Sequence, residues 1–286
     1  MTDNGGNMPK RIFILAIIML GLYYALLFAK EPITITLQTQ RVPEASGIAR
    51  SLLHEDILYT HNDSGGESSV FAIDTQGNIR AEIALENATN RDWEEIASAR
   101  DPQNNQAYLF VGEIGDNNAR YKHLSFYKFP EPELSDSLLL ISEYEKIDFV
   151  YSDGARDAEA FFVEPQSGDI YIITKREEKV GIYILPYPQA TGKILTAQKL
   201  GEMPMNWVTA ADISANGKYI LVKNYAGIRR FRKRSTVLKA LTGKSKDLPY
   251  IVEPQGEAIC FDAKGKGYYT LSEAAEGKAQ QLYYYK

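Results

Sequence analysis

The chain is short of the residues from which most metal and nucleophilic sites are built. Among 286 residues there are one cysteine, three histidines and two tryptophans. A single cysteine, Cys260, excludes an internal disulfide framework and every multi-cysteine metal cluster. It is compatible with an oxidising compartment without requiring one. His54, His61 and His123 show no metal-ligand spacing, and only His61 falls near a candidate site. There is no G-x-S-x-G nucleophile turn, no phosphate-binding P-loop and no HExxH zinc helix. Neither sign of charge is in large excess. The 32 basic and 37 acidic side chains leave a net charge of -5, which argues against nucleic acid as the partner of the whole chain. Tyrosine (19) and glycine (21) are plentiful, as expected of β-structure with many turns.

Long apolar runs are also scarce: the one that could span a bilayer is at the N-terminus. Residues 1–11 are polar and end in Lys10-Arg11, and residues 12–29 (IFILAIIMLGLYYALLFA) carry no charge. Eighteen residues of helix rise about 27 Å, enough to cross a hydrocarbon core. A cleaved signal peptide has a shorter apolar region and small residues at its cleavage site. Here the best such site, after Ala29, has bulky Leu27 two residues before it. The expectation is therefore an uncleaved signal anchor over 12–29 in the inner membrane. Lys10 and Arg11 would hold a cytoplasmic tail (1–11), leaving residues 33–286 outside, in the periplasm or its equivalent.

The rest of the chain repeats. Segments 45–63, 93–116, 158–177, 208–225 and 256–273 share one layout: a small or acidic residue, an apolar stretch, a turn, a second apolar stretch and a polar end. Turn formers such as Pro165-Gln166-Ser167-Gly168 and Asn216-Gly217 separate the two runs. A third run follows in each, as in 70–74, 124–129, 181–187, 227–233 and 281–286, and its alternation suggests half-buried strands. Aligned on the residue opening the first strand, the units start at Ser46, Glu94, Glu159, Thr209 and Glu257. The spacings of 48, 65, 50 and 48 match one four-stranded propeller blade. The last unit is one strand short, and residues 33–37 (ITITL) could supply it, closing the ring without an exposed edge. The fold expected is an all-β propeller of five blades. The extra stretch 131–151 leaves room for a sixth, and a β-sandwich is the alternative that does not predict the repeat. One insertion, 235–243 (STVLKALTG), reads as a short helix with a Ser235 N-cap and a Gly243 stop.

These residues resemble a widespread family of uncharacterised bacterial exported β-propellers. The resemblance lies in Asn62-Asp63-Ser64-Gly65-Gly66, Asp92-Trp93-Glu94-Glu95-Ile96-Ala97, Gly112-Glu113-Ile114-Gly115-Asp116-Asn117, Asp157-Ala158-Glu159-Ala160, Thr209-Ala210-Ala211-Asp212-Ile213-Ser214 and Gln255-Gly256-Glu257-Ala258. Glu95, Glu113 and Ala210 depart mildly from its pattern. More distantly the chain looks like phytase-like, gluconolactonase-like and SdiA-regulated propellers, some of which bind divalent cations in the central channel. The resemblance covers about residues 44–286 and brings no activity with it, since a propeller fold by itself implies none.

In a propeller the aligned residues converge on the central channel, so Glu94, Glu159 and Glu257 would share one ring with Ser46 and Thr209. Two carboxylates about 7 Å apart repel by roughly 2.4 kcal/mol at an effective dielectric near 20. Four answers stay open: a hard cation such as Ca2+ or Mg2+, internal counter-ions, protonation of one glutamate for acid/base work, or glutamates that only bond neighbouring backbone. The candidate metal ligands are Glu94, Glu159, Glu257, Asn62, Asn224 and Glu113. The candidate ligand-binding residues are His61, Asp63, Arg91, Arg156 and Lys175. Two functions follow: a membrane-anchored binding module with a cation or small polar ligand in the channel, or a metal-dependent hydrolase of the phosphoesterase or lactonase type. Finally, residues 213–246 hold ten Lys or Arg and no acid, centred on Arg229-Arg230-Phe231-Arg232-Lys233-Arg234. That segment is a solvated surface or a contact for anionic lipid or an acidic polymer.

Overall fold

Five repeats of apolar run, turn and apolar run fold as five antiparallel meanders in the computed structural model, which describes residues 31–275 and 278–286. An isolated strand, β1 (Ile33–Thr36), precedes them. The first meander is β2 (Ala45–Arg50), β3 (Ile57–Asn62), β4 (Ser69–Asp74) and β5 (Ile79–Leu85). Next come β6 (Trp93–Arg100), β7 (Ala107–Glu113), β8 (Leu124–Pro130), β9 (Leu138–Ile141) and β10 (Glu145–Tyr151). The third is β11 (Ala158–Val163), β12 (Ile170–Thr174), β13 (Val180–Leu185) and β14 (Leu195–Met203). The fourth is β15 (Val208–Ile213), β16 (Tyr219–Asn224), β17 (Gly227–Arg232), a helix α1 (Val237–Leu241) and β18 (Ser245–Leu248). The last, β19 (Gly256–Phe261), β20 (Tyr268–Ser272) and β21 (Gln281–Tyr285), takes β1 as its fourth strand, with Ile33 opposite Tyr284 and Thr36 opposite Gln281.

The 131–151 stretch builds no separate unit among the described residues. Its first part, β9, joins β5 in parallel, and its second, β10, pairs with β8. β10 also pairs in parallel with β14, which merges the second and third meanders into one eight-stranded sheet.

The first strands lie side by side: β2 against β6, β6 against β11, β11 against β15, β15 against β19, and β19 against β2. They all run the same way. Ser46 Oγ donates to Glu94 O (2.9 Å) where β2 and β6 begin, and Thr209 Oγ1 to Gly256 O (3.2 Å) where β15 and β19 begin. At the other end of the ring the Phe261 N–H donates to Asp212 Oδ2 (2.8 Å). Five apolar clusters fill the spaces between neighbouring meanders; Phe126, Phe149, Phe161 and Tyr183 dominate one, and Tyr59, Trp93, Tyr127 and Phe129 another.

Burial grades outward from this ring. β2, β11 and β19 are buried at every residue, Ser46, Arg50, Glu159 and Glu257 included, so they show no alternation. The third strands were expected to be half-buried, but β4 and β8 are buried almost throughout. True alternation belongs to the outer strands β5, β10 and β14, one face of which meets water. The short helix begins one residue later than its sequence suggests. Thr236, not Ser235, is extended and accepts the Lys239 N–H at 3.3 Å, which makes it the N-cap. No helix of the described residues is long and apolar enough to cross a membrane, and the 12–29 anchor lies outside them.

Candidate functional site

Each first strand carries one irregularity, at the same place. Pairing skips from Ala45 to Gly47, Trp93 to Glu95, Ala158 to Ala160, Val208 to Ala210 and Gly256 to Ala258. The extra residues are Ser46, Glu94, Glu159, Thr209 and Glu257, the five aligned in the sequence. A bulge frees its residue from the ladder and re-aims the side chain. Repeated five times around one ring, it gathers these side chains at one end of the axis.

Glu94 is the centre of the acidic group. One carboxylate oxygen each from Glu94, Asp63 and Asp92 lie within 4.8 Å of one another. Ser46 Oγ, which donates to Glu94 O, shares its proton with Glu94 Oε2 at 3.2 Å. Gly115 is required by close approach, because a Cβ there would collide with Glu94 Oε1 and the Asp92 carboxylate. Burial pushes Glu94 well above the usual carboxylate range, and the charges of Asp63 and Asp92 push further, with Lys175 opposing. Burial likewise raises Asp63 to about 7, against the Ser64 N–H that donates to it at 2.5 Å. Asp92 rises to about 6 through burial and the charge of Asp157. A cleft of about 230 Å³ opens beside Asp92, lined by Ser64, Arg91, Asp116 and Tyr121.

The other two glutamates have different partners. Glu159 forms an ion pair with Lys175, while its Oε2 is buried without a hydrogen-bond partner. Glu257 accepts the Tyr225 hydroxyl at 2.5 Å. Its charge is felt by Glu94, Asp63 and Glu273, which places these carboxyls on one mouth.

Several sequence candidates serve the scaffold instead. Asn62 accepts the Glu44 N–H (3.1 Å) and donates to Arg41 O (2.9 Å). Asn224 accepts the Ala226 and Gly227 N–H groups, both at 3.0 Å, and donates to Asn206 O. Both amides are thus committed to turns rather than turned to the ring. Glu113 faces Arg91 (3.2 Å) and the Tyr127 hydroxyl (3.4 Å), outside the Glu94 group. Arg91 also stacks on Tyr121 at 3.9 Å. Arg156 pairs with Asp153 (3.1 Å) and Glu177 (3.6 Å), away from the three clustered carboxylates. His61 is fully buried, edge-on to Trp93, and burial lowers it to about 4, so it is a neutral packing residue.

The ends of the second strands share one register. Asn62, Glu113, Asn224 and Ser272 oppose the residues just before each bulge, and Thr174, not Lys175, is their equivalent. The side chains that meet the ring come one step later: Asp63, Lys175, Tyr225 and Glu273. Counting from Asp63 and Lys175 would have found the other two.

Deeper along the axis the ring is bridged. Glu95, fully buried, reaches from β6 to accept the Ala211 N–H of β15 at 3.2 Å, and burial holds its carboxyl well above the usual range. Beyond it, Arg50 meets Asp212 at 3.3 Å. The acidic mouth therefore ends on buried polar bridges.

No protein-family model matches the chain, and no curated protein does. Among solved structures, hydrazine synthase of Kuenenia stuttgartiensis aligns over 84% of this chain and 58% of its own, at 12% identity and a TM-score of 0.42. A likeness of that size transfers neither function nor residue roles. The chemistry must come from the donor set itself, which is all oxygen: Asp63, Asp92 and Glu94, with no histidine or cysteine. Hard cations of the Ca2+ and Mg2+ type prefer such ligands.

Proposed function

We propose that residues 33–286 form a five-bladed β-propeller of the exported kind its motifs resemble. It is held outside the inner membrane by the 12–29 anchor, with the N-terminus in the cytoplasm. The propeller acts as a binding module that takes Ca2+ or Mg2+ at its acidic mouth. Support for the fold comes from five four-stranded meanders, a closed ring of first strands and five intervening cores. The observation that carries the function is the trio Asp63, Asp92 and Glu94. At 4.8 Å and an effective dielectric near 20, each pair of charges repels by about 3–4 kcal/mol. The cations whose charge opposes the trio, Lys175 and Arg91, are already paired with Glu159 and Glu113. Oxygens that close suit a cation held at about 2.3–2.6 Å. Three protein oxygens fill half or less of a calcium shell, leaving sites for water or for the oxygens of a small polar ligand in the Asp92 cleft.

Thermal unfolding with Ca2+, with Mg2+ and with chelator tests this. At a hundredfold excess over Kd the gain is about 2.7 kcal/mol, a rise in Tm of roughly 5–10 °C. Glu94→Gln and Asp92→Asn should abolish it, and an unchanged wild-type midpoint would remove the proposal. Glu159 supports a second reading, metal-dependent hydrolysis, because its Oε2 is buried and unpartnered beside the mouth. Turnover of a phosphoester or lactone, lost in Glu159→Gln, would favour the enzyme; cation binding with a silent substrate panel would favour the binder.

A further inference from the structure

Strand direction sets the bulged carboxylates and the exposed cations of the fourth meander at opposite ends of the ring. The bulged carboxylates lie where the first strands begin. β16 arrives at that end with Asn224, and β17 leaves it from Gly227, so Tyr219 and Arg232, which pair together, lie at the opposite end. β18 starts there too, with Ser245 opposite Phe231. The two connections at that end carry Lys218, Arg232, Arg234, Lys239, Lys244 and Lys246, all exposed. Arg229 and Lys233 have acidic partners in Asp247 (3.6 Å) and Glu164 (2.9 Å); the six exposed cations have none among the described residues. The neighbouring β19–β20 turn adds Lys266 and Lys264, the latter facing Glu55 at 3.5 Å.

The same end is where the chain enters the domain. Ile33 pairs with Tyr284, and Tyr285 pairs with Tyr268 at the far end of β20. Between the last apolar residue of the anchor, Ala29, and Ile33 there are three residues, Lys30, Glu31 and Pro32. They span at most about 11 Å, little more than a Debye length of about 8 Å. Acidic residues at this end include Glu55, Asp101 and Glu133 on the first two meanders, Glu164 and Asp169 on the third and Asp262 on the last, so the exposed cations without an acidic partner concentrate on the fourth meander, next to the one that includes β1.

We infer that the basic connections of the fourth meander, with Lys264 and Lys266, dock on an anionic lipid surface and so keep the acidic mouth turned away from the bilayer. The inference rests on the 12–29 anchor proposed above. Short tether and positive charge converge on one side of the domain, and exposed Lys and Arg within a Debye length are drawn to anionic headgroups. The site proposed for cations would then face the compartment from which its ligand arrives.

The test uses the full chain in nanodiscs of phosphatidylcholine with or without phosphatidylglycerol. A fluorophore is placed at Ser235→Cys on the basic end or at Asn118→Cys beside the mouth; the native Cys260 is buried. A quencher carried on lipid headgroups should quench the Ser235→Cys probe several-fold more than the Asn118→Cys probe, and only with phosphatidylglycerol. Neutralising four exposed cations (R232Q, R234Q, K244Q and K246Q) should cut that difference about tenfold or more. Equal quenching at both positions, or quenching indifferent to phosphatidylglycerol, overturns the inference, and heparin binding in that case would assign the surface to an acidic polymer. Alkaline carbonate extraction checks the anchor separately. If carbonate strips the chain from membranes, the anchor reading fails. Co-sedimentation with phosphatidylglycerol vesicles then decides the surface: retention lost in the fourfold variant upholds it, and no retention overturns it.

Discussion

The two ends of the ring hold buried carboxylates in opposite circumstances. At the closed end, Asp212 has Arg50 at 3.3 Å and the backbone N–H groups of Phe261 (2.8 Å) and Ile213 (2.7 Å). At the open end, the Asp92 carboxylate has no hydrogen-bond partner among the described residues and only the charge of Arg91 opposing its acidic neighbours, while Glu94 has the Ser46 hydroxyl and two acidic neighbours. Glu94 is 4% exposed, and the Asp212 side chain, at 15%, is only somewhat more open to water. Burial of charge therefore does not mark a site by itself. What distinguishes the mouth is that its charges are gathered without being satisfied, whereas those of the closed end are spent on holding β2, β15 and β19 together.

The largest expected effect would break the closed end. Arg50→Leu leaves Asp212 buried without its cation and should cost about 3–5 kcal/mol in urea unfolding, with much of the loss recovered when Asp212→Leu is added. A loss below about 1 kcal/mol would mean the two ends are less different than their geometry implies. At the mouth the sign should reverse. Glu94→Gln removes a carboxyl held well above its ordinary value and should stabilise the cation-free protein by roughly 1–2 kcal/mol.

The pH dependence sharpens the same contrast. Asp63 and Asp92 are held at about 7 and about 6, above an unfolded value near 4. A raised carboxyl contributes its stability below the unfolded value and loses it as pH climbs through the folded one. Cation-free stability from this pair should thus fall between about pH 4 and pH 7. His61 works the other way: lowered to about 4, it contributes above its unfolded value near 6.5 and loses that contribution as pH falls through 4. Subtracting the stability profile of Asp63→Asn/Asp92→Asn from that of the wild type isolates the mouth, and a flat difference would contradict the assignment.

Smaller effects separate scaffold from site. Asn62→Ala should lose about 1 kcal/mol through its two backbone bonds and leave the Ca2+-induced shift in Tm unchanged; a vanished shift would return Asn62 to the ligand set. Smallest of all, Thr236→Ala should cost about 0.5–1 kcal/mol as the loss of a helix cap, while Ser235→Ala should be silent.

Much of the architecture was legible because it is written locally. Turn residues and apolar runs mark the strands, and the spacing of Glu94, Glu159 and Glu257 brought to one ring the residues that the bulges single out. The ITIT segment was readable as the missing strand of the last unit because alternation and an unfilled edge both pointed to it. The 131–151 stretch was less legible. Its two short runs are strands by composition, but which sheet edge each would join depends on edges built elsewhere. The one-residue step from the ends of the second strands to the side chains that meet the ring, which hid Tyr225 and Glu273, is a matter of register. Register is set by the bulge, and a bulge has no residue signature of its own here: Ser, Glu and Thr all occupy it.

Local chemistry was enough, then, to determine the strands, their repeat and the residue that opens each one, since propensity and turn formation act over a few positions of chain. The satisfied and unsatisfied states of the buried charges were decided only by the tertiary structure. Glu95 meets Ala211 across 116 residues and Arg50 meets Asp212 across 162. Separations of that size carry no local signal, because only the closing of the ring brings such partners within hydrogen-bond reach.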